Sequence, residues 1–344
     1  MKFGIFDHMD RGTVPLGVQY ENRLRLIEAY DAGGFHAYHL AEHHATPLGM
    51  APSPSVFLSA VAQRTNRLRF GPLVYTLPLY HPMRVYEEIC MLDHMSGGRL
   101  ELGVGRGAVP HEIEHYSIAP SEGQARYFET YEILMKAFAG KTLNHTGTYY
   151  TFRDVPLEIA PVQKPHPPLW YGVSQPEATV WAAQHRLNVV VNGPTAMVRG
   201  IVERYRSEWA QAGRNAAQIP FMAMNRHIVI AETDTEAKDI AERAYKIWRA
   251  NFLSLWQRHG TTPPNITALY GNSFEELQER GQGFAGTPDT VRGALERQVR
   301  ETGVNYLMCR FAFGDLSLDE SSRTVGLFVR QVMPALGGMR EAAE

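Results

Sequence analysis

The amino-acid sequence predicts an α/β fold, a single (β/α)₈ TIM barrel occupying residues 1–344. Short β-rich runs alternate with helical stretches from one end to the other, the order that a closed parallel barrel demands. Most of the runs are continuously apolar rather than alternating, as strands covered on both faces are. No internal repeat, charge block or low-complexity tract interrupts the series, so one domain accounts for the whole length. An open doubly wound sheet is the competing arrangement of the same elements.

In chain order, strands are expected at 2–6, 37–41, 68–75, 100–104, 168–173, 187–191, 225–231 and 304–311. Helices are expected near 20–33, 53–64, 82–95, 124–139, 175–185, 195–212, 234–258, 287–302 and 319–333. Several starts carry residues that cap or pre-set a first turn: Ser53 before Pro54, Gln175 before Pro176-Glu177, and Thr287 before Pro288-Asp289. Two segments exceed simple barrel connections. One is 140–167, rich in Pro, Thr and Tyr; the other is 251–286, expected as an extended loop or lid insertion between the seventh strand and the following barrel helix.

Composition narrows the function. The 34 basic and 36 acidic residues are spread along the chain for a net charge of −2, and no basic stripe offers itself to nucleic acid. No apolar stretch approaches the roughly 20 residues that span a bilayer, and the first residues lack the apolar core of a signal peptide. The two cysteines, Cys90 and Cys309, sit inside apolar runs and read as small buried hydrophobes. A cytoplasmic protein without a membrane partner is the expectation.

Chemistry in such a barrel sits at the C-terminal strand ends, and the conspicuous polar residues fall there. Asp7-His8 follows strand one, Glu42-His43-His44 strand two, Tyr75-Thr76 strand three and Arg106-Gly107 strand four. Ser174-Gln175 follows strand five and Asn192-Gly193 strand six. Arg106 stands among Gly103, Gly105 and Gly107, where glycine admits a ligand close to the backbone and the guanidinium fork suits phosphate. Gly97-Gly98, by contrast, reads as a helix C-cap. Ser174-Gln175 opens a helix and is either a plain cap or an anion site. Adjacent His43 and His44 raise a metal alternative, but the other strand ends bring no further His or Asp cluster, so no metal is expected. One histidine acting as proton donor or acceptor fits better.

These residues resemble the bacterial luciferase-like monooxygenase family. The resemblance is carried by AYHLAEHHATPLG at 37–49, by LRFGPLVYTLPLYHPMRVYEEICMLDHMSGGRLELGVGRG at 68–107, by QARYFE at 124–129, by KPHPPLWYGVSQPEATVWAA at 164–183 and by GTPDTV at 286–291. It implies a flavin-dependent monooxygenase on a (β/α)₈ barrel, using reduced FMN from a separate flavin reductase and O₂ to oxygenate a small organic substrate through a C4a oxygen adduct. It further implies His43 as the catalytic histidine, Arg106, Gly107 and Arg126 at the flavin phosphate, and Ser174 and Gln175 in the phosphate-binding turn. Leu73 and Val74 match a pair joined by a non-proline cis peptide beneath the flavin ring, with Tyr75 beside it. His8, His44 and Phe311 are expected on the substrate side, within an aromatic mouth that also includes Phe6, Tyr75 and Phe313. Gly105 replaces the reactive cysteine of light-emitting relatives, and Ala178 replaces a common phosphate-side serine.

Rival readings are a deazaflavin-dependent hydride-transfer enzyme, which usually shows D-H where this chain has E-H-H, and a non-catalytic flavin-binding subunit, which loses the histidine. Helix 82–95 carries Met83, Val85, Tyr86, Ile89, Cys90, Met91, Leu92 and Met95 on more than one face, so a homodimer is expected.

Overall fold

The computed structural model describes residues 1–263, 266 and 269–338. Its strands are β1 (Lys2–Asp7), β2 (Ala37–Leu40), β3 (Arg69–Pro72), β4 (Tyr75–Thr76), β5 (Leu102–Gly105), β6 (Thr142–Thr146), β7 (Thr151–Pro156), β8 (Leu169–Gly172), β9 (Asn188–Val191), β10 (Met222–Ile230), β11 (Gly283–Gly286) and β12 (Tyr306–Arg310). The helices that position the site are α1 (Leu16–Ala32), α2 (Pro54–Arg64), α3 (Pro82–Met95), α4 (Pro110–Glu114), α5 (Gly123–Ala139), α6 (Ala178–Gln184), α7 (Thr195–Gln211) and α8 (Asp234–Arg258).

Parallel pairing runs β3–β2–β1–β12–β10–β9–β8–β5–β4, and a bridge between Phe70 in β3 and Leu100, just ahead of β5, closes the path into a barrel. β11 pairs in parallel with the C-terminal half of β10, at His227–Ile230. Strand alternation then sorts the side chains. Phe6, Ala41, Leu73, Trp170, Val190, Ala223, Tyr306 and Met308 fill the barrel interior, while Phe3, Ile5, Tyr38, Leu40, Leu307 and Cys309 join the larger core beneath the helices. Gly4 stands where a Cβ would collide with the Tyr306 ring, so that inward position needs glycine.

Helix 82–95 begins and ends where the sequence predicts. Thr287 caps the helix Pro288–Thr302 by accepting from Thr290 N. Other elements differ. The expected strand 68–75 is interrupted between β3 and β4, and the Leu73–Val74 peptide at the break is cis. The helix expected from Gln175 starts at Ala178, because residues 175–177 form turns in which Gln175 O and Pro176 O accept from Ala178 N and Thr179 N. Segment 140–167 contains the antiparallel hairpin β6–β7. In 251–286, α8 continues to Arg258, a short helix spans Phe274–Glu279, and β11 returns to the sheet; residues 264–265 and 267–268 of that expected lid lie outside the described residues.

Candidate active site

The turn after β1 is fixed by one carboxylate. Asp7 Oδ1 accepts from Met9 N at 2.7 Å, and Oδ2 accepts from the Tyr38 hydroxyl at 2.8 Å and pairs with Arg23 Nε at 2.9 Å. Met9 takes a left-handed φ of 52°, which carries the chain around His8. His8 is buried, and its Nδ1 accepts from Trp248 Nε1 at 3.2 Å. Burial above all, then the charge of Arg310 and the neighbouring His43 and His227, hold His8 well below the usual histidine range. A neutral ring that accepts at Nδ1 carries its proton on Nε2.

His43 follows β2, its ring centroid 5.4 Å from that of His8. Its Nδ1 lies 2.9 Å from Glu112 Oε1. Glu112, 2% exposed on α4, accepts with the same oxygen from His44 N at 3.3 Å. A carboxylate at Nδ1 fixes the tautomer and leaves Nε2 for proton exchange. His44 is placed differently: Nε2 lies 2.8 Å from Glu42 Oε1 and Nδ1 lies 2.8 Å from the Tyr116 hydroxyl. Both of its ring nitrogens are engaged, so the expected substrate-side contact is not available to them. Glu42 also accepts from the Tyr80 hydroxyl at 2.8 Å and Thr76 N at 3.3 Å. Burial raises its carboxyl, opposed by these partners.

The cis Leu73–Val74 peptide packs against the glycines of β5, and Leu73 N donates at 2.7 Å to Leu40 O, at the end of the strand that His43 follows. A Cβ on Gly105 would stand 2.5 Å from Val74 Cγ2, so the cysteine of light-emitting relatives would not fit without a shift. Arg106 and Gly107 follow, Gly107 with φ +88°. Arg106 is exposed and forms no hydrogen bond or ion pair among the described residues; its aliphatic stem borders Gly123 at the start of α5. Arg126, one turn along α5, pairs with Glu122 at 2.8 Å and lies 4.2 Å over the Tyr149 ring. Ser174 and Gln175 are exposed in the turn before α6.

Two expectations are corrected by strand alternation. Phe311 is fully buried on the outer face of the sheet, against Tyr30, Phe35 and Phe328, and does not face the mouth. The Tyr75 side chain also points outward, its hydroxyl 2.7 Å from Ser55 Oγ. Phe313 is buried with Trp248 and lies 4.8 Å from the His227 ring. Sequence reasoning missed Glu112, Trp248, His227 and Arg310. Trp248 was hidden inside a long helix and Arg310 inside an apolar run; only the acidic HEIEH at 111–115, close behind Arg106, offered a signal.

The segment after the seventh barrel strand packs against α4. The His111 ring on α4 stacks on His259 at 4.0 Å and its Nε2 lies 2.7 Å from Thr261 Oγ1, while Val109, Leu255 and Trp256 form a small apolar cluster. Among the described residues no group of three or more His, Cys, Asp or Glu is placed to hold a metal ion, and no helix is long and apolar enough to cross a membrane.

A family model described as luciferase-like monooxygenase matches residues 1–306. An uncharacterized protein of Sinorhizobium fredii is 44% identical over 338 residues, covering 98% of each chain. The oxygenase component of a flavin-dependent trigonelline monooxygenase from Acinetobacter baylyi is 28% identical over 263 residues, 74% of this chain and 72% of that one. Among solved structures, monooxygenase RslO1 from Streptomyces bottropensis superposes with a TM-score of 0.82 at 27% identity, covering 98% of this chain and 100% of that one. The oxygenating constituent of 3,6-diketocamphane monooxygenase from Pseudomonas putida, in complex with FMN, gives 0.79 at 19% identity over 97% and 98%.

Proposed function

Because this chain belongs to the luciferase-like monooxygenase family, we propose that it is a cytoplasmic, single-domain oxygenase taking reduced FMN from a separate flavin reductase and inserting oxygen into a small organic substrate. The observation that carries the reading is the pair His43–Glu112 at 2.9 Å after β2, with the cis Leu73–Val74 peptide following the neighbouring strand β3 and an uncommitted Arg106 following β5. Those residues fit a flat ring ending in a phosphate: a planar backbone face for the ring, and guanidinium donors for the anion. Reduced FMN, when bound, supplies the electrons that activate O₂.

The chain's own residues do the rest. Arg106, with Arg126 and the 174–175 turn, holds the phosphate. His43 takes and returns one proton at Nε2, and Glu112 stabilises the ring while it is charged. His8 donates from Nε2 without changing charge near neutral pH. Phe6, edge-on to His8 at 5.0 Å, and Trp248, tilted against it at 5.8 Å, keep water from the same space.

The test is anaerobic titration with reduced FMN and with a reduced deazaflavin, followed by oxygen uptake with NADH and a generic reductase. Reduced FMN is expected to bind and oxygen to be consumed. Arg106→Ala should weaken reduced FMN by about 1.5–3 kcal/mol, the usual worth of a charge-assisted hydrogen bond. Binding of the deazaflavin alone would replace the monooxygenase reading with hydride transfer.

A further inference from the structure

Arg310 closes β12 at the floor of the mouth and is 1% exposed. Its guanidinium carbon lies 5.0 Å from the centroids of both Phe6 and Trp248. Nη1 donates to His227 Nε2 at 2.8 Å, which spends the end of the group away from the chain. Nε is sealed from water without a partner, and Nη2 makes no hydrogen bond among the described residues. Those two donors lie along one edge of the guanidinium, the edge that grips a planar carboxylate with two parallel hydrogen bonds. No carboxylate forms an ion pair with Arg310 among the described residues; Asp10 and Asp7 act on it only at longer range.

A buried cation without a counter-ion costs several kcal/mol, so a site that keeps one implies an anion that arrives. We propose that Arg310 is the substrate-binding residue of this site and that the substrate is an acid, with a carboxylate on the Nε–Nη2 edge and an apolar body between the aromatic rings. Burial lowers Arg310 only to about 10, so it is charged at neutral pH. His8 and His227, both held well below the usual histidine range, are neutral and add no competing cation. Phe313 beside His227 at 4.8 Å and Phe252 beside Trp248 at 5.2 Å extend the apolar wall. Recognition of the acid rests on the monooxygenase reading for its purpose, and on Arg310 for its chemistry.

The test uses the intact protein without flavin. Benzoate, phenylacetate and hexanoate, each beside its amide, are titrated against tryptophan emission and checked by calorimetry. At least one acid should bind tenfold or more tightly than its amide. Arg310→Gln should erase that preference and leave reduced-FMN affinity within twofold. Arg310→Lys, which keeps the charge without the fork, should lower the preference by severalfold, and it serves if Arg310→Gln does not fold. Acids and amides binding alike, or no acid binding at all, overturns the proposal. So does a variant that loses reduced FMN while keeping the acid preference, because Arg310 would then serve the cofactor. An acid preference in a protein that ignores reduced FMN upholds the anion site and removes the monooxygenase reading instead.

Discussion

His43 and His44 are neighbours in sequence that differ in what their nitrogens touch. His43 has one carboxylate at Nδ1 and an open Nε2; His44 is held at both ends by Glu42 and Tyr116. The E-H-H motif was legible, but which histidine kept a free nitrogen was not, because that depends on Glu112 arriving from α4, nearly seventy residues along the chain. Arg310 was illegible for a similar reason: an arginine inside YLMCRF reads as an interruption until the barrel closes around it. The dyad predicts a graded series. With a substrate that suppresses peroxide release in the native enzyme, His43→Ala should lower product by about 100-fold or more, a typical acid–base contribution. Oxygen uptake and FMN affinity should persist, with hydrogen peroxide replacing product. Glu112→Gln keeps the hydrogen-bond acceptor but not the charge, so its loss of product should be smaller than that of His43→Ala. Peroxide and product are measured together; undiminished product in Glu112→Gln would leave that carboxylate a merely structural role.

At the scale of elements, the strands and helices were legible from apolar runs and punctuation, and the side-chain faces were not. Continuous apolar runs hide the alternation, so Phe311 and Tyr75 read as mouth residues until pairing registers turned them outward. Ser174-Gln175 looked like a helix start because Pro176 favours one, yet the first three carbonyls go to turns. β11 escaped notice because GFAG is too short and glycine-rich to read as a strand. Helix α3, in contrast, has the predicted bounds, and its excess apolarity is real. Val85, Tyr86, Ile89, Cys90 and Leu92 are buried, while Met91 and Met95 remain 54% and 43% exposed, with Val162 46% exposed near the same helix end. Exposed methionines on an otherwise packed helix point to a partner surface. We therefore expect a homodimer through α3, and Met91→Glu with Met95→Glu should shift it toward monomer. Sedimentation at micromolar concentration reads this directly; a monomeric native protein would end the expectation.

For the whole molecule, the barrel interior buries titratable groups that pull stability in opposite directions with pH. Burial, with nearby cations, depresses His39 to about 3 and His36 to about 4, and holds His8 and His227 lower than usual. The unfolded chain binds these protons below about 6.5 and the folded chain does not, so their contribution is present above that value and is lost as pH falls toward the folded values. Asp10 acts the other way. It is 2% exposed, accepts from Asn251 Nδ2 at 3.1 Å and Gly314 N at 3.0 Å, and is raised from 3.8 to about 7, chiefly by burial. Its folded form binds the proton more tightly, so its contribution is full below 3.8 and is lost as pH rises through about 7. At about 1.4 kcal/mol per pKa unit, that window spans at most about 4 kcal/mol. Asp10→Asn isolates it, since the amide oxygen can accept the same two hydrogen bonds without ever ionising. The variant should match the native protein near pH 4, gain on it up to about pH 7 as native Asp10 is forced to ionise in place, and level off above that. Urea unfolding at four or five pH values measures the difference. A stability difference that stays flat from pH 5 to 8 would mean that Asp10 titrates normally and that its burial is compensated by Arg23, Asn251 and Gly314.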